Sequence, residues 1–409
     1  MSQLHIAHFT NTYLPVTSGV VRSVGSFRRA LVDLGHLVFV FAQHANDHVD
    51  KEPFIFRYPA LELPLQEYPL TIPFSNFVEK LLPSLKLDLI HAHHPLLLGQ
   101  VAANQAEELD IPLVFTHHTR YQEYSHYVAL PQELVKDVIE RWLADYMERC
   151  QHVVVPSESI KALLAKRYGI HERVTAVPTG IDLAPYKQAD GQAIRQKRGW
   201  QDKFVFISVG RLAEEKNWET LIQAALPVLK RHPQVRLAIV GEGDERADLE
   251  KLVQKLGIDH QVEFVGRVPF DAIPSYLKAA DAFCFASVTE TQGLVTLEAM
   301  AAGLPIVAVD ATGTSDAVTH NVEGLLTPNN AHDLGIALEL LVNDDSLRAQ
   351  FTEAAPRKAA AFENKIMGQR LLDVYAQAQE DKKAGRYVVG DKHKPIFQIN
   401  WRKMLGIEE

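Results

Sequence analysis

Glu290 and Glu298 stand eight positions apart in ETQGLVTLEAMAAG (residues 290–303), with Gly293 between them. Leu294, Leu297 and Ala301 fall at i, i+3 and i+7, so the spacing predicts a helix that begins at Gly293. The free amides and the dipole of a helix start make an anion site. An acid just before it and another one turn inside can accept hydrogen bonds from hydroxyls that flank the anion. Sugar, diphosphate and ribose in one ligand would satisfy all three features, which points to a sugar nucleotide.

A second group lies in GRLAEEKN, where Gly210, Arg211 and Lys216 follow an apolar run ending at Val209. A buried diphosphate needs compensating positive charge. Arginine can clamp it with two parallel hydrogen bonds, and lysine supplies a compact charge. Gly19, within PVTSGVVR, separates the first apolar run from a helical pattern. It is either a turn glycine or a place where a ligand approaches backbone amides. Gly241-Glu242-Gly243 could line the same ligand site, but it lacks the rest of a dinucleotide fingerprint. Arg267 and Val268, just past VEFVG, could read a base edge with their backbone groups or simply end a strand. His91, His93, His94, His117, His118 and His126 crowd the first half. They lack carboxylate–histidine spacing and no DxD pair accompanies them, so the expectation is no metal site. Instead His117 and His118 follow the run LVFT, where an imidazole can hydrogen-bond a sugar hydroxyl.

The elements that must hold these residues alternate. Expected strands are 5–9, 37–42, 89–92, 113–116 and 152–156, then 204–209, 236–240, 262–265, 282–285 and 305–309. Helical patterns cover 20–34, 131–149, 218–230 and 247–255. This rhythm implies parallel sheets covered on both faces. It runs twice, giving an α/β chain of two Rossmann-like, doubly wound domains whose strand ends face each other across a cleft. The expected domains are 1–183 and 184–364, joined through a turn-rich stretch at 177–199, with the segment 365–409 packing back on the first. From Lys382 onward seven basic residues outnumber three acidic ones, interleaved with Phe397, Ile399, Trp401 and Leu405. Two readings of this tail stay open: contact with an anionic lipid surface, or packing on the first domain. Phe74, Phe77, Leu81, Leu82 and Leu85 are likewise either an apolar acceptor-side face or a buried amphipathic helix.

The bulk properties agree. A length of 409 residues calls for more than one core, and a net charge of −9 disfavours nucleic-acid binding. Cys150 and Cys284 form no CxxC pair and fit buried thiols in a reducing compartment. No run reaches the roughly 18 apolar residues of a membrane span. The first strand leads into PVTSGV rather than G-x-G-x-x-G, which disfavours a dinucleotide-dependent dehydrogenase.

Taken in order, the Gly19 loop, His118, Gly210-Arg211 with Lys216, and Glu290 to Glu298 followed by AMAAGLPIVA resemble the retaining glycosyltransferases of family 4, which have the GT-B fold. The likeness extends over nearly the whole chain. It implies that Arg211 and Lys216 neutralise the donor diphosphate and that Glu290 holds hydroxyls of the donor sugar. Gln292, Gly293 and Leu294 would present the loop around sugar and phosphate, Glu298 would accept from the ribose, His118 would lie against the donor sugar, and Gly19 would contact phosphate. Where the family often has a double glycine and an aromatic residue, this chain has Ser18-Gly19 and Gln292. The run 115–128 (FTHHTRYQEYSHYV) is most similar to members that glucosylate diacylglycerol.

The activity so implied is metal-independent, retaining transfer of a hexose, by family default glucose, from a UDP-hexose to a lipid hydroxyl, with no cofactor. The enzyme would be cytoplasmic and peripheral at the inner face of the plasma membrane, on an anionic surface. A soluble or polysaccharide-precursor acceptor is the alternative within the fold. A sugar-nucleotide epimerase is the alternative from another enzyme class.

Overall fold

The computed structural model describes residues 2–16, 18–46, 48–61, 70–118 and 132–391, with the backbone alone for 70 and 132–138. The chain divides into two compact units. One is Met1–Pro178 with Met367–Glu409; the other is Thr179–Ile366.

The first unit contains β1 (His5–Thr10), β2 (Leu37–Gln43), β3 (Ile55–Tyr58), β4 (Ala60–Leu61), β5 (Leu70–Thr71), β6 (Leu89–Ala92), β7 (Leu113–Thr116), β8 (His152–Val155) and β9 (Val174–Ala176). Its main sheet has the order β3-β2-β1-β6-β7-β8-β9, while β4 and β5 form a separate antiparallel pair. Every pairing in the main sheet is parallel. The order therefore reverses between β1 and β6, where doubly wound sheets bind ligands beyond the carboxyl ends. Ala7, Phe9, Phe41, Ile90 and Phe115 build the core on one face. On the other, Ile6, Leu89, Val114 and Val154 pack against Leu371, Leu372 and Tyr375 of the helix Asn364–Lys383.

The second unit contains β10 (Phe204–Val209), β11 (Val235–Val240), β12 (Val262–Gly266), β13 (Ala282–Phe285), β14 (Ile306–Val309) and β15 (Gly324–Thr327). Its order, β12-β11-β10-β13-β14-β15, is all parallel and switches between β10 and β13. Separate cores line its two faces, one around Ile207, Phe283 and Met300 and the other around Trp218, Leu237 and Leu338.

The ten strands expected from the sequence are present to within one residue at each end. Missed were β3, β9 and β15, short strands without a continuous apolar run, and the β4–β5 pair. The apolar segment at 74–85 is not one face. It is the helix Asn76–Leu81 followed by a tight turn Leu82–Leu85, with Val78 and Leu82 in the core and Phe77 exposed. Cys150 and Cys284 are both buried and unbonded, and burial pushes both thiols up. Tail residues Val388 and Gly390 hydrogen-bond Cys150 O and the Glu148 carboxylate. The later part of the tail, with Phe397, Ile399, Trp401 and Leu405, lies outside the described residues, as do His126 and most of the stretch 115–128. Among the described residues no helix is long and apolar enough to cross a membrane.

Candidate active site

In the second unit the expected donor residues gather at the carboxyl ends of β10 and β13, the strands flanking the switch point. Gly210 N donates to Val240 O at 3.0 Å and Leu212 N to Glu242 O at 2.9 Å. A side chain on Gly241 would stand 1.8 Å from Gly210 O, and one on Gly243 would stand 2.2 Å from Leu212 O. The two glycines of the GEG motif therefore brace the Arg211 loop from behind. Trp218 Nε1 fixes the loop from the other side by donating to Arg211 O at 2.9 Å.

Each cation here carries an acid. Arg211, about half exposed, meets Glu215 at 2.5 Å. Burial raises the Glu215 carboxyl, but a backbone hydrogen bond and Arg211 more than reverse this, leaving it below its usual range. Lys216 pairs with Glu290, and its ammonium lies 5.9 Å from the centre of the Phe285 ring. Ser287 Oγ, 3.2 Å from both Glu290 Oε1 and Glu215 O, ties the two acidic segments together. Glu215 and Ser287 were not singled out from the sequence, because neither has a distinguishing spacing.

Glu290 leads into Gly293, which adopts φ +72° immediately before the helix Leu294–Ala301. Among the described residues no acceptor meets the amides of Gly293, Leu294 or Val295, as a helix start requires. The neighbouring Thr296 Oγ1 is fully buried and also without a partner. Glu298, one turn inside, is buried. The Gln292 side chain is committed elsewhere: it accepts from Thr179 N at 2.7 Å and donates to Thr179 O at 2.8 Å. Only the backbone of Gln292 is left to present the loop. Arg267 is exposed and Val268 packs on the nearby core just past β12.

Gly313, at φ +79°, underlies this turn; a side chain there would stand 2.6 Å from Gln292 N and Glu290 O. Gly313→Ala is therefore expected to destabilise the protein by about 2 kcal/mol. A lowered midpoint in urea denaturation checks this, and an unchanged midpoint would show that the turn gives way freely.

In the first unit Gly19 opens the helix Gly19–Asp33 beyond β1, and Ser18 caps it by accepting from Val21 N. Its φ is not positive and open space surrounds a Cβ built there. Neither turn strain nor packing demands glycine, so the turn-glycine reading fails. His118 lies just past β7, with its Nε2 2.9 Å from His93 Nδ1. Burial holds the histidines here in the neutral form: His8 is pushed down to about 3, His94 and His117 to about 4, and His91, His93 and His118 well below the usual 6.5. His8 was not singled out from the sequence, yet His8, His91 and His93 bring ring nitrogens within 4.8 Å of one another. Period-two alignment across β1 and β6 was the available signal.

Two parallel-sheet Rossmann-like units, each with its strand order switching once, give the chain the GT-B class of fold. Residues 17–185 match the sequence profile "Glycosyltransferase Family 4" and residues 190–358 match "Glycosyl transferases group 1". An alpha-monoglucosyldiacylglycerol synthase of Acholeplasma laidlawii is 33% identical over 321 residues, 74% of this chain and 80% of that one. A protein of the same name from Streptococcus pneumoniae is 31% identical over 92% of this chain and 86% of its own. Among solved structures, the sucrose-phosphate synthase of Thermosynechococcus elongatus matches with a TM-score of 0.73 at 23% identity, covering 91% of this chain and 98% of that one. The chain belongs to glycosyltransferase family 4 and is a retaining hexosyltransferase. Enzymes of this family generally need no metal.

Proposed function

We propose that the protein transfers glucose from UDP-glucose to the hydroxyl of diacylglycerol at an anionic membrane surface, retaining the anomeric configuration and using no metal. The observation that carries the donor half is the Lys216–Glu290 pair beside the amides of Gly293 and Leu294, which no acceptor meets among the described residues. These place a positive charge, hydrogen-bond donors and a hydroxyl acceptor together. The similarity to two monoglucosyldiacylglycerol synthases supports the acceptor half.

In this reading Thr179–Ile366 binds the nucleotide sugar and Met1–Pro178 the acceptor. Arg211 and Lys216 neutralise the diphosphate, Glu290 and the 292–294 backbone hold the sugar and phosphate, and Glu298 accepts from the ribose. Arg267 and Val268 meet the base through their backbone, Gly19 lets phosphate approach, and His118 hydrogen-bonds the donor sugar. The bond from the anomeric carbon to the phosphate oxygen breaks as the acceptor oxygen bonds to that carbon on the same face. The acceptor proton passes to the departing phosphate, so no protein base is required. Preorganised charge at the leaving group supplies the main rate enhancement.

Incubation with labelled UDP-glucose, UDP-galactose or UDP-glucuronate, with and without diacylglycerol vesicles, tests this by thin-layer chromatography. A labelled glycolipid formed from UDP-glucose alone is the expected result. UDP release that vesicles leave unchanged would sink the lipid acceptor.

A further inference from the structure

Side chains alternate along a strand, so the sheet face that carries Ile6, Leu89 and Val114 continues as His8 on β1, His91 and His93 on and just past β6, and Thr116 and His118 on and just past β7. All but His118 are buried. Tyr375 reaches the same face from the helix Asn364–Lys383 and is fully buried. Thr116 Oγ1 lies 2.6 Å from His91 Nε2, and His91 Nδ1 lies 2.7 Å from the Tyr375 hydroxyl. That hydroxyl is 3.3 Å from His8 Nε2, and His8 Nδ1 is 3.0 Å from His93 Nε2. His93 Nδ1 then meets His118 Nε2 at 2.9 Å. These five contacts join six side chains in one unbranched line.

A neutral imidazole has one N–H and one bare nitrogen. Each ring that receives a hydrogen bond on one side must therefore donate on the other; the fully buried Tyr375 hydroxyl has no acceptor for its proton outside the line among the described residues, so with that proton used the line has only two polarities. Thr116 decides between them. Its hydroxyl is buried and its one partner among the described residues is His91, so accepting there would leave its own proton unpaired, at a cost. Thr116 donates to His91, His91 to Tyr375, Tyr375 to His8, His8 to His93, and His93 to His118 Nε2. The His118 proton then sits on Nδ1, which has no partner among the described residues.

We propose that Thr116, His91, Tyr375, His8 and His93 are positioning residues that fix His118 as its Nδ1–H tautomer, so that it offers a donor to a hydroxyl of the donor sugar. This rests on the reading that His118 meets that sugar. A metal held by His8, His91 and His93 would consume the ring lone pairs on which the line depends.

The test uses the full chain carrying 15N-labelled histidine, with Thr116→Val and Thr116→Ser as the variants and His118→Gln to assign the signal. Long-range 15N–1H spectra should show wild-type His118 protonated at Nδ1. Thr116→Val should convert it to a mixture of tautomers and lower kcat in proportion to the Nδ1–H fraction lost, about twofold for an even mixture, with KM for UDP-glucose nearly unchanged. Thr116→Ser should restore both. A wild-type His118 protonated at Nε2, a Thr116→Val variant with wild-type spectrum or wild-type kcat, or stoichiometric metal in the purified protein would each overturn the proposal. Failure of the transfer assay itself would count against the proposed activity, while the spectra would still decide the tautomer.

Discussion

Lys216→Ala is expected to lower kcat for hexose transfer about a thousandfold, the scale seen when one preorganised stabiliser of developing charge is removed. The Lys216 ammonium is held against Glu290 at the strand switch, with about a fifth of its side chain exposed. Charge grows on the diphosphate as the glycosidic bond breaks, so a fixed cation gains most in the transition state and should act on kcat more than on KM. Stability should hardly change, because a partly exposed ion pair contributes on the order of 1 kcal/mol or less. Steady-state rates at saturating UDP-glucose, paired with thermal denaturation, read both effects. An alanine variant within about twofold of wild type would remove Lys216 from the reaction.

The second large effect is loss of the fold in mild acid. His8, His91, His93 and His117 are buried in the first unit, and burial holds each well below the usual 6.5; His8 sits at about 3 and His117 at about 4. The folded chain keeps them neutral, whereas the unfolded chain protonates them below pH 6.5. The unfolded state therefore binds more protons, and stability falls as pH drops from 6.5 toward 4. At pH 5 His8 and His117 each cost about 2 kcal/mol, and His91 and His93 act in the same direction. Several together rival the roughly 5–15 kcal/mol that holds a typical domain folded. The urea midpoint should be flat from pH 8 to 7 and drop steeply between pH 6.5 and 5. A midpoint constant through that interval would mean that these rings take up protons while folded.

How much could be read beforehand divides along physical lines. Parallel strands buried on both faces are near-continuous apolar runs, and FVFISV or LVFT stand out against their surroundings. Strands such as VTA and GLLT are too short for any periodicity to mark them. Of the candidate site, Glu290, Gly293, Arg211 and Lys216 were legible because their chemistry is local to one loop or one helix start. What spacing could not show was the use of Gln292 to pin Thr179, the bracing of Gly210 by Gly241, or the joining of His8 to Tyr375 across 367 positions. Each of these depends on a contact between distant segments, whose register emerges only when the sheets are assembled.

The helix that completes the first unit also fixes the order in which the chain can mature. Strands β1 to β9 are finished by Ala176, but the face carrying Ile6, Leu89 and Val114 is covered by Met367, Leu371, Leu372 and Tyr375. During synthesis that face waits uncovered through almost two hundred further residues. The segment Thr179–Ile366 is continuous and depends on no later residue for its own strands. Domains usually mature from the amino terminus as they emerge. Here the second can close before the first, and a nascent chain stopped at Pro178 lacks the residues that cover its apolar sheet face.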